Sequence, residues 1–334
     1  RDGLRYCWPG DCTTRQPDRC NQKGGSTGES SAQMSAAAEF NFTERAQQIN
    51  ALPALSELLK FHGLKPTKSL GQNFLLDLNL TSKIARAALA ATGGTTTGTT
   101  IEIGPGPGGL TRALLLHDFA RVVAIEKDVR AVNLLQSLID ASDDCLEVVE
   151  ADALTMNPAS LGPAPHRIVA NLPYNIGTAL LTSWLTQLAD DPDTYDTITV
   201  LLQKEVVDRL VAKPGGKAFG RLSVLTQWLC RATSAFEIPA SAFVPPPKVV
   251  SAVVVLTPHT AEQRPFDCSL KALSTVTGAL FNQRRKMIRQ AIKGLGSHGL
   301  EILTQSGIDP RKRAEVLELE EFGQLARLYE ALQV

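Results

Sequence analysis

Apolar residues along the chain change their spacing several times, and each change predicts an element. Between Leu52 and Phe61, Leu55, Leu58 and Leu59 fall at helical spacing, with Gly63 and Pro66 behind them as stop signals. A loop runs to Asp77, followed by a helical stretch over 78–91 and a Gly/Thr-rich connector over 92–100. Short apolar runs at 100–103, 121–125, 146–149, 167–170 and 197–202 then read as strands, separated by helical stretches near 109–117, 128–139, 177–189 and 204–212. Repeated β-α units imply a mostly parallel, doubly wound sheet. A helix at 220–230 leads into strands at 232–237 and 249–257, which flank the turn Pro245-Pro246-Pro247. Nothing beyond Pro258 reads as a strand, so the remainder predicts a small helical domain whose final helix carries the stripe Leu325, Leu328, Tyr329 and Leu332.

A length of 334 residues allows about two domains and a core that stands without disulfides. Lys plus Arg and Asp plus Glu are both 34, which excludes a histone-like or polyanionic chain and makes any basic surface local. The longest apolar runs, such as 252–256, fall far short of the roughly 18 residues that span a membrane. Cys7, Cys12, Cys20, Cys145, Cys230 and Cys268 match neither a disulfide framework nor a standard zinc pattern, and read as incidental thiols of a reducing cytoplasm. Residues 1–33 lack the apolar core of a signal peptide, and Asp2, Asp11, Asp18 and Glu29 argue against a transit peptide. Met34 opens a smooth amphipathic start, so the residues before it are expected to lie upstream of the natural initiator.

The strand ending Ile101-Glu102-Ile103 runs into Gly104-Pro105-Gly106-Pro107-Gly108-Gly109, a glycine-rich turn ahead of a helix, where backbone can approach a nucleoside cofactor closely. Gly104, Gly106 and Gly109 also spell G-x-G-x-x-G, so a dinucleotide oxidoreductase competes at this point. Glu126 closes the next strand, where an acid can take both hydroxyls of a ribose, and Asp152 follows the third, where it can accept from an adenine amine or simply cap the turn after it. The fourth strand delivers Asn171-Leu172-Pro173-Tyr174 to the same sheet edge. Hydride transfer has no use for that tetrapeptide, whereas methyl transfer to an exocyclic amine does. Such a nitrogen has its lone pair delocalised into the ring and must be held by acceptors, which the Asn171 side chain and the Leu172 carbonyl supply. Pro173 fixes the turn, and Tyr174 can stack on the base. No His-Glu-x-x-His pair or Gly-x-Ser-x-Gly elbow supports a zinc or serine hydrolase, and no metal site is predicted.

From about Leu64 to the C-terminus the chain resembles the ribosomal RNA adenine N6,N6-dimethyltransferases of the KsgA type. The likeness rests on Gly71-Gln72-Asn73-Phe74-Leu75, the Gly104–Gly109 loop, Glu126, Asp152 and Asn171–Tyr174. It extends to Gly220-Arg221-Leu222-Ser223, to Phe243–Lys248 with Val249, Val250 and Ser251, and to Phe281-Asn282-Gln283-Arg284-Arg285-Lys286. The resemblance implies S-adenosylmethionine as cofactor, contacted by Asn73, Leu75, Gly104, Gly106, Glu126, Asp152 and Asn171, with Tyr174 and Phe243 sandwiching a target adenine. It further implies dimethylation of two adjacent adenosines in a hairpin near the 3′ end of small-subunit ribosomal RNA, by a monomer acting on an immature subunit in the cytoplasm. The domains expected are a disordered or non-native tail over 1–50, a Rossmann-like methyltransferase domain over 51–258 and a helical RNA-binding domain over 259–334. The nearest enzymatic rival is the large-subunit adenine methyltransferase family of macrolide resistance; a rival of another class is a ribosome-assembly or transcription factor that keeps the fold but has lost catalysis.

RNA needs a basic surface. Arg284, Arg285, Lys286, Arg289 and Lys293 occur with no acid between Phe281 and Lys293, and Arg285, Arg289 and Lys293 repeat every four residues. With Met287, Ile288, Ala291, Ile292 and Leu295 on a neighbouring arc, this predicts one amphipathic helix with a basic edge that contacts phosphates. Lys213, Lys217 and Arg221 around Gly215-Gly216 form a second candidate contact.

Overall fold

The computed structural model describes residues 44–332. The β-branched and aliphatic runs form the strands β2 (Thr99–Ile103), β3 (Val122–Glu126), β4 (Leu146–Glu150), β5 (His166–Asn171) and β6 (Thr197–Gln203), preceded by the short β1 (Phe74–Leu75). After them come β7 (Cys230–Ile238), the short β8 (Phe243–Val244) and β9 (Ser251–Pro258). Seven of these make one sheet in the order β4-β3-β2-β5-β6-β9-β7, with the first five parallel and β9 antiparallel to both its neighbours. The doubly wound sheet is as expected.

Alternation along the strands sends side chains to two apolar layers. Ile168, Ala170, Val200 and Leu202 pack with Leu180, Leu181, Trp184 and Leu185 of helix Gly177–Asp190. Val169, Leu201 and Val253 face the other way, against Ile84, Ala85 and Ala88 of helix Leu78–Ala91 and Leu110, Ala113 and Leu114 of helix Gly109–Leu116. Both faces being covered is what a parallel sheet requires. Strand order reverses between β2 and β5, so the chain leaves their carboxyl ends in opposite directions and opens a crevice there.

Three expectations need correction. The tail was placed over 1–50, but residues 44–51 are helical, with Ile49 only 1% exposed and Arg45 paired to Asp118 at 2.6 Å. With Ile49 as its one large apolar residue, that helix shows little periodicity. Residues 1–43, with Cys7, Cys12, Cys20 and Met34, lie outside the described residues. The loop predicted up to Asp77 contains β1, which pairs antiparallel with β8, Phe74 opposite Val244 and Leu75 opposite Phe243. A two-residue strand has no period to read.

The basic helix is the third. Helix Leu270–Asn282 stops, residues 283–286 turn, and only then does a four-residue helix, Ile288–Ala291, begin. The backbone N–H of Ile288 donates to the carbonyl of Lys312 at 2.8 Å, and Met287 bridges Arg313, so this segment is bound to a distant turn at 310–313 rather than continuing the helix before it. The helices after Pro258 share one core with the sheet. Trp228 stacks on Phe266 at 6.0 Å and donates to its carbonyl, while Phe219 packs edge-on against Phe281 at 6.1 Å. Among the described residues no helix is long and apolar enough to cross a membrane.

Candidate active site

The turn after β2 places Gly104, Gly106 and Gly108 at positive φ, 68°, 53° and 83°. At Gly106 a Cβ would come within 3.1 Å of the Phe74 ring, and at Gly109 within 2.8 Å of the Leu75 carbonyl oxygen, so side chains here would push β1 off the turn. These glycines let the turn, the start of helix Gly109–Leu116 and β1 close on one another around a cavity at the carboxyl ends of β2 and β5.

Glu126 lies at the end of β3 in that cavity and accepts three backbone N–H groups, from Gly106 at 3.1 Å and from Lys127 and Asp128 at 2.8 Å each. Burial pushes its carboxyl above the usual range, against the pull of those donors. Asp152, past β4, is held by Lys127 Nζ at 2.6 Å and by the N–H of Leu154 at 3.0 Å, and Lys127 keeps it below the usual range. Asp128, just beyond Glu126, is tied to Arg130 at 2.6 Å and accepts from Gln72 Nε2 at 3.1 Å, which fastens the loop before β1 to the end of β3.

The end of β5 carries the tetrapeptide. The N–H of Leu172 still bonds to the Leu201 carbonyl at 3.2 Å, and the Pro173 carbonyl accepts from Ile176 and Gly177 at the start of the next helix. The turn is therefore pinned at both ends. Asn171 Nδ2 donates to the Asn73 carbonyl at 3.3 Å, so Oδ1 is the acceptor this amide has left to offer. Tyr174 O–H shares a 2.5 Å hydrogen bond with Ser251 Oγ, and burial raises its phenol above the usual range.

Asn73, Leu75, Gly104, Gly106, Glu126, Asp152 and all of Asn171–Tyr174 line this one cavity. Phe243 does not. Expected to stack on the target base, it is 2% exposed, its ring in the apolar layer with Leu75, Ile84 and Ile238. Pairing with β1 turns Phe243 inward and leaves Val244 outside, so Phe243 serves the core, and the aromatics that line the cavity are Phe74 and Tyr174. Arg221, Arg285, Lys286 and Arg289 are exposed and away from the cavity wall. Arg284 is committed elsewhere: it donates to Glu315 at 3.0 Å and to the Lys217 carbonyl, holding the loop before helix Arg221–Leu229.

Glu102 received no role from the sequence. It lies on β2, 1% exposed, lining the same cavity near Glu126, and burial pushes its carboxyl up to about 8. The legible signal was an acid between two isoleucines in a strand headed for the sheet interior. Asn175 was also missed: it lines the cavity and donates to the Ser69 carbonyl at 3.4 Å.

Glu102, Glu126 and Asp152 put three carboxyl groups on the cavity, acceptors that fit a ligand with ribose hydroxyls and an amine. Comparison with known proteins agrees. Residues 63–331 match the family model described as ribosomal RNA adenine dimethylase. A protein of Mesorhizobium japonicum named ribosomal RNA small subunit methyltransferase A is 50% identical over 283 residues, covering 83% of this chain and 98% of the relative. Its counterpart of the same name in Paracoccus denitrificans is 51% identical over 279 residues, covering 84% and 96%. Among solved structures, a dimethyladenosine transferase from Plasmodium falciparum superposes with a TM-score of 0.61 at 22% identity, over 75% of this chain and 97% of that one. The 23S rRNA methyltransferase ErmE does so at 0.57 and 24%, over 77% and 100%, and both likenesses show the fold. The chain belongs to the ribosomal RNA adenine dimethylase family.

Proposed function

We propose that the protein is an S-adenosylmethionine-dependent methyltransferase that converts two adjacent adenosines of small-subunit ribosomal RNA to N6,N6-dimethyladenosine during subunit assembly. The observation that carries this reading is the shared cavity: the Asn171–Tyr174 turn, the glycine turn and three carboxyl groups face one space. When bound, the cofactor supplies a methyl group already activated on a positively charged sulfur. Glu126 would take the ribose hydroxyls and Asp152 the adenine amine, while Glu102, its carboxyl pushed up to about 8 and so protonated at neutral pH, lies beside Glu126 as a neutral hydrogen-bonding group.

The chain's remaining work is alignment. Asn171 Oδ1 and the Leu172 carbonyl accept from the target N6 amine, which turns its lone pair out of conjugation and towards the methyl donor's side of the cavity. Tyr174, its hydroxyl held by Ser251, presents a face to the extruded base, a contact worth about 1–3 kcal/mol at comparable platforms. No side chain need take the proton, because the methylated nitrogen is acidic enough to yield it to water. Holding reactants in attack geometry contributes at most roughly 7–11 kcal/mol. The second methylation reuses the same acceptors and requires only room around N6.

The enzyme is read as a monomer acting on an immature small subunit in the cytoplasm, with Arg221, Arg285, Lys286 and Arg289 on phosphates. Methyl transfer from labelled S-adenosylmethionine to immature small subunits and, separately, to large-subunit RNA tests the reading. Dimethyladenosine in the small subunit alone, identified by mass, is expected. Label confined to the large-subunit RNA would assign the resistance-type target, and cofactor binding without transfer would leave an assembly factor.

A further inference from the structure

The most exposed large apolar side chain lies away from the core. Phe61, the last residue of helix Leu55–Phe61, is 86% exposed, whereas no other exposed large hydrophobic among the described residues passes 49%. Its ring meets His62 edge-on at 5.1 Å, and Lys60, His62 and Lys65 around it are all exposed. A lone phenylalanine in water gains nothing for the fold, and this one has Lys60 and His62 beside it in sequence and Glu57 one helical turn back.

Charge and attachment say what it fits. From Leu58 to Leu76 the sequence contains Lys60, Lys65 and Lys68 and no Asp or Glu, in a chain whose formal charge is zero. Asp128 is paired with Arg130, and Glu57, one turn back on the Phe61 face, is outnumbered by Lys60 and Lys65. Leu58 and Leu64 are buried against Phe74, itself part of the cavity wall, and Arg130 Nη2 donates to Thr67 Oγ1 at 2.9 Å. The patch is thus joined through packed side chains to the loop that walls the methyl-transfer cavity. An exposed ring flanked by lysines on a positive segment matches a single-stranded nucleic acid, with a base on the ring and phosphates on the lysines.

We infer that Lys60, Phe61, His62 and Lys65 form a second RNA-docking patch, receiving an unpaired base of ribosomal RNA outside the methyl-transfer cavity. The inference rests on the proposed function, since it takes the partner to be that RNA. Phe61→Ala, Phe61→Leu, Phe61→Trp and Lys60→Ala/Lys65→Ala variants of the full chain test it, each measured for S-adenosylmethionine binding and for binding to immature small subunits across a salt series.

Unchanged cofactor affinity is expected throughout. Phe61→Ala and Phe61→Leu should weaken subunit binding about fivefold or more, Phe61→Trp should restore it, and the double lysine variant should lower the salt slope by roughly one per lysine. Wild-type subunit affinity in Phe61→Ala would overturn the inference. So would Phe61→Leu behaving as wild type, since a side chain that packs but cannot stack would mark a protein or lipid contact. If the wild-type chain binds cofactor but no ribosomal RNA, the proposed function itself fails, which is a distinguishable result.

Discussion

Glu102 shows how one buried atom pair can set a solution property. Its carboxyl is pushed from 4.5 up to about 8, so between those values the folded chain holds a proton that the unfolded chain has released. Raising the pH through that window therefore weakens folding. Glu102→Gln keeps the shape and removes the titration, and its denaturant midpoints should decline less between about pH 5 and 8 than those of the wild type. Parallel slopes would place the titration elsewhere. Phe243 makes the opposite point. As a ring in the core layer beside Leu75 and Ile84, its replacement by alanine should cost about 3–5 kcal/mol of stability, measured by equilibrium unfolding. A stable Phe243→Ala that merely lost transfer would return Phe243 to the substrate. Its burial was hidden in the sequence because it depends on pairing with Leu75, far away along the chain.

At the scale of elements, the strands were legible because runs such as Ile168-Val169-Ala170 are apolar on both sides, as a buried parallel strand must be. Asn171–Tyr174 was legible too, since a proline and a tyrosine directly after such a run make a rigid exit. The break at residues 283–286 was not, because the partners that hold it, Glu315, the Lys217 carbonyl and the Lys312 carbonyl, come from elsewhere in the fold. Local spacing at Arg285, Arg289 and Lys293 pointed to one helix, and tertiary bonds overrode it. Arg284 and Arg285 should therefore separate on mutation. Arg284→Ala loses the clamp on the Lys217 loop and should cost about 1 kcal/mol, roughly 2 °C in thermal midpoint. Arg285→Ala, exposed, should leave the midpoint alone and lower the salt dependence of RNA binding.

For the molecule as a whole, the sheet brings segments from four strand ends, with the loop before helix Leu78–Ala91, to one crevice, and the C-terminal helices extend the same apolar core. Basic groups stand outside that crevice on two sides of the chain's order, Lys60 and Lys65 before it and Arg221, Arg285, Lys286 and Arg289 after it. In the proposed function, holding RNA and transferring methyl groups fall to different residues. The most direct test is single-turnover transfer by Asn171→Ala, assayed on immature small subunits with binding of the same subunits measured alongside. Loss of Oδ1 should reduce dimethyladenosine formation by about 100-fold or more while subunit affinity stays within about twofold of wild type. Wild-type turnover in Asn171→Ala would contradict the assignment of the cavity.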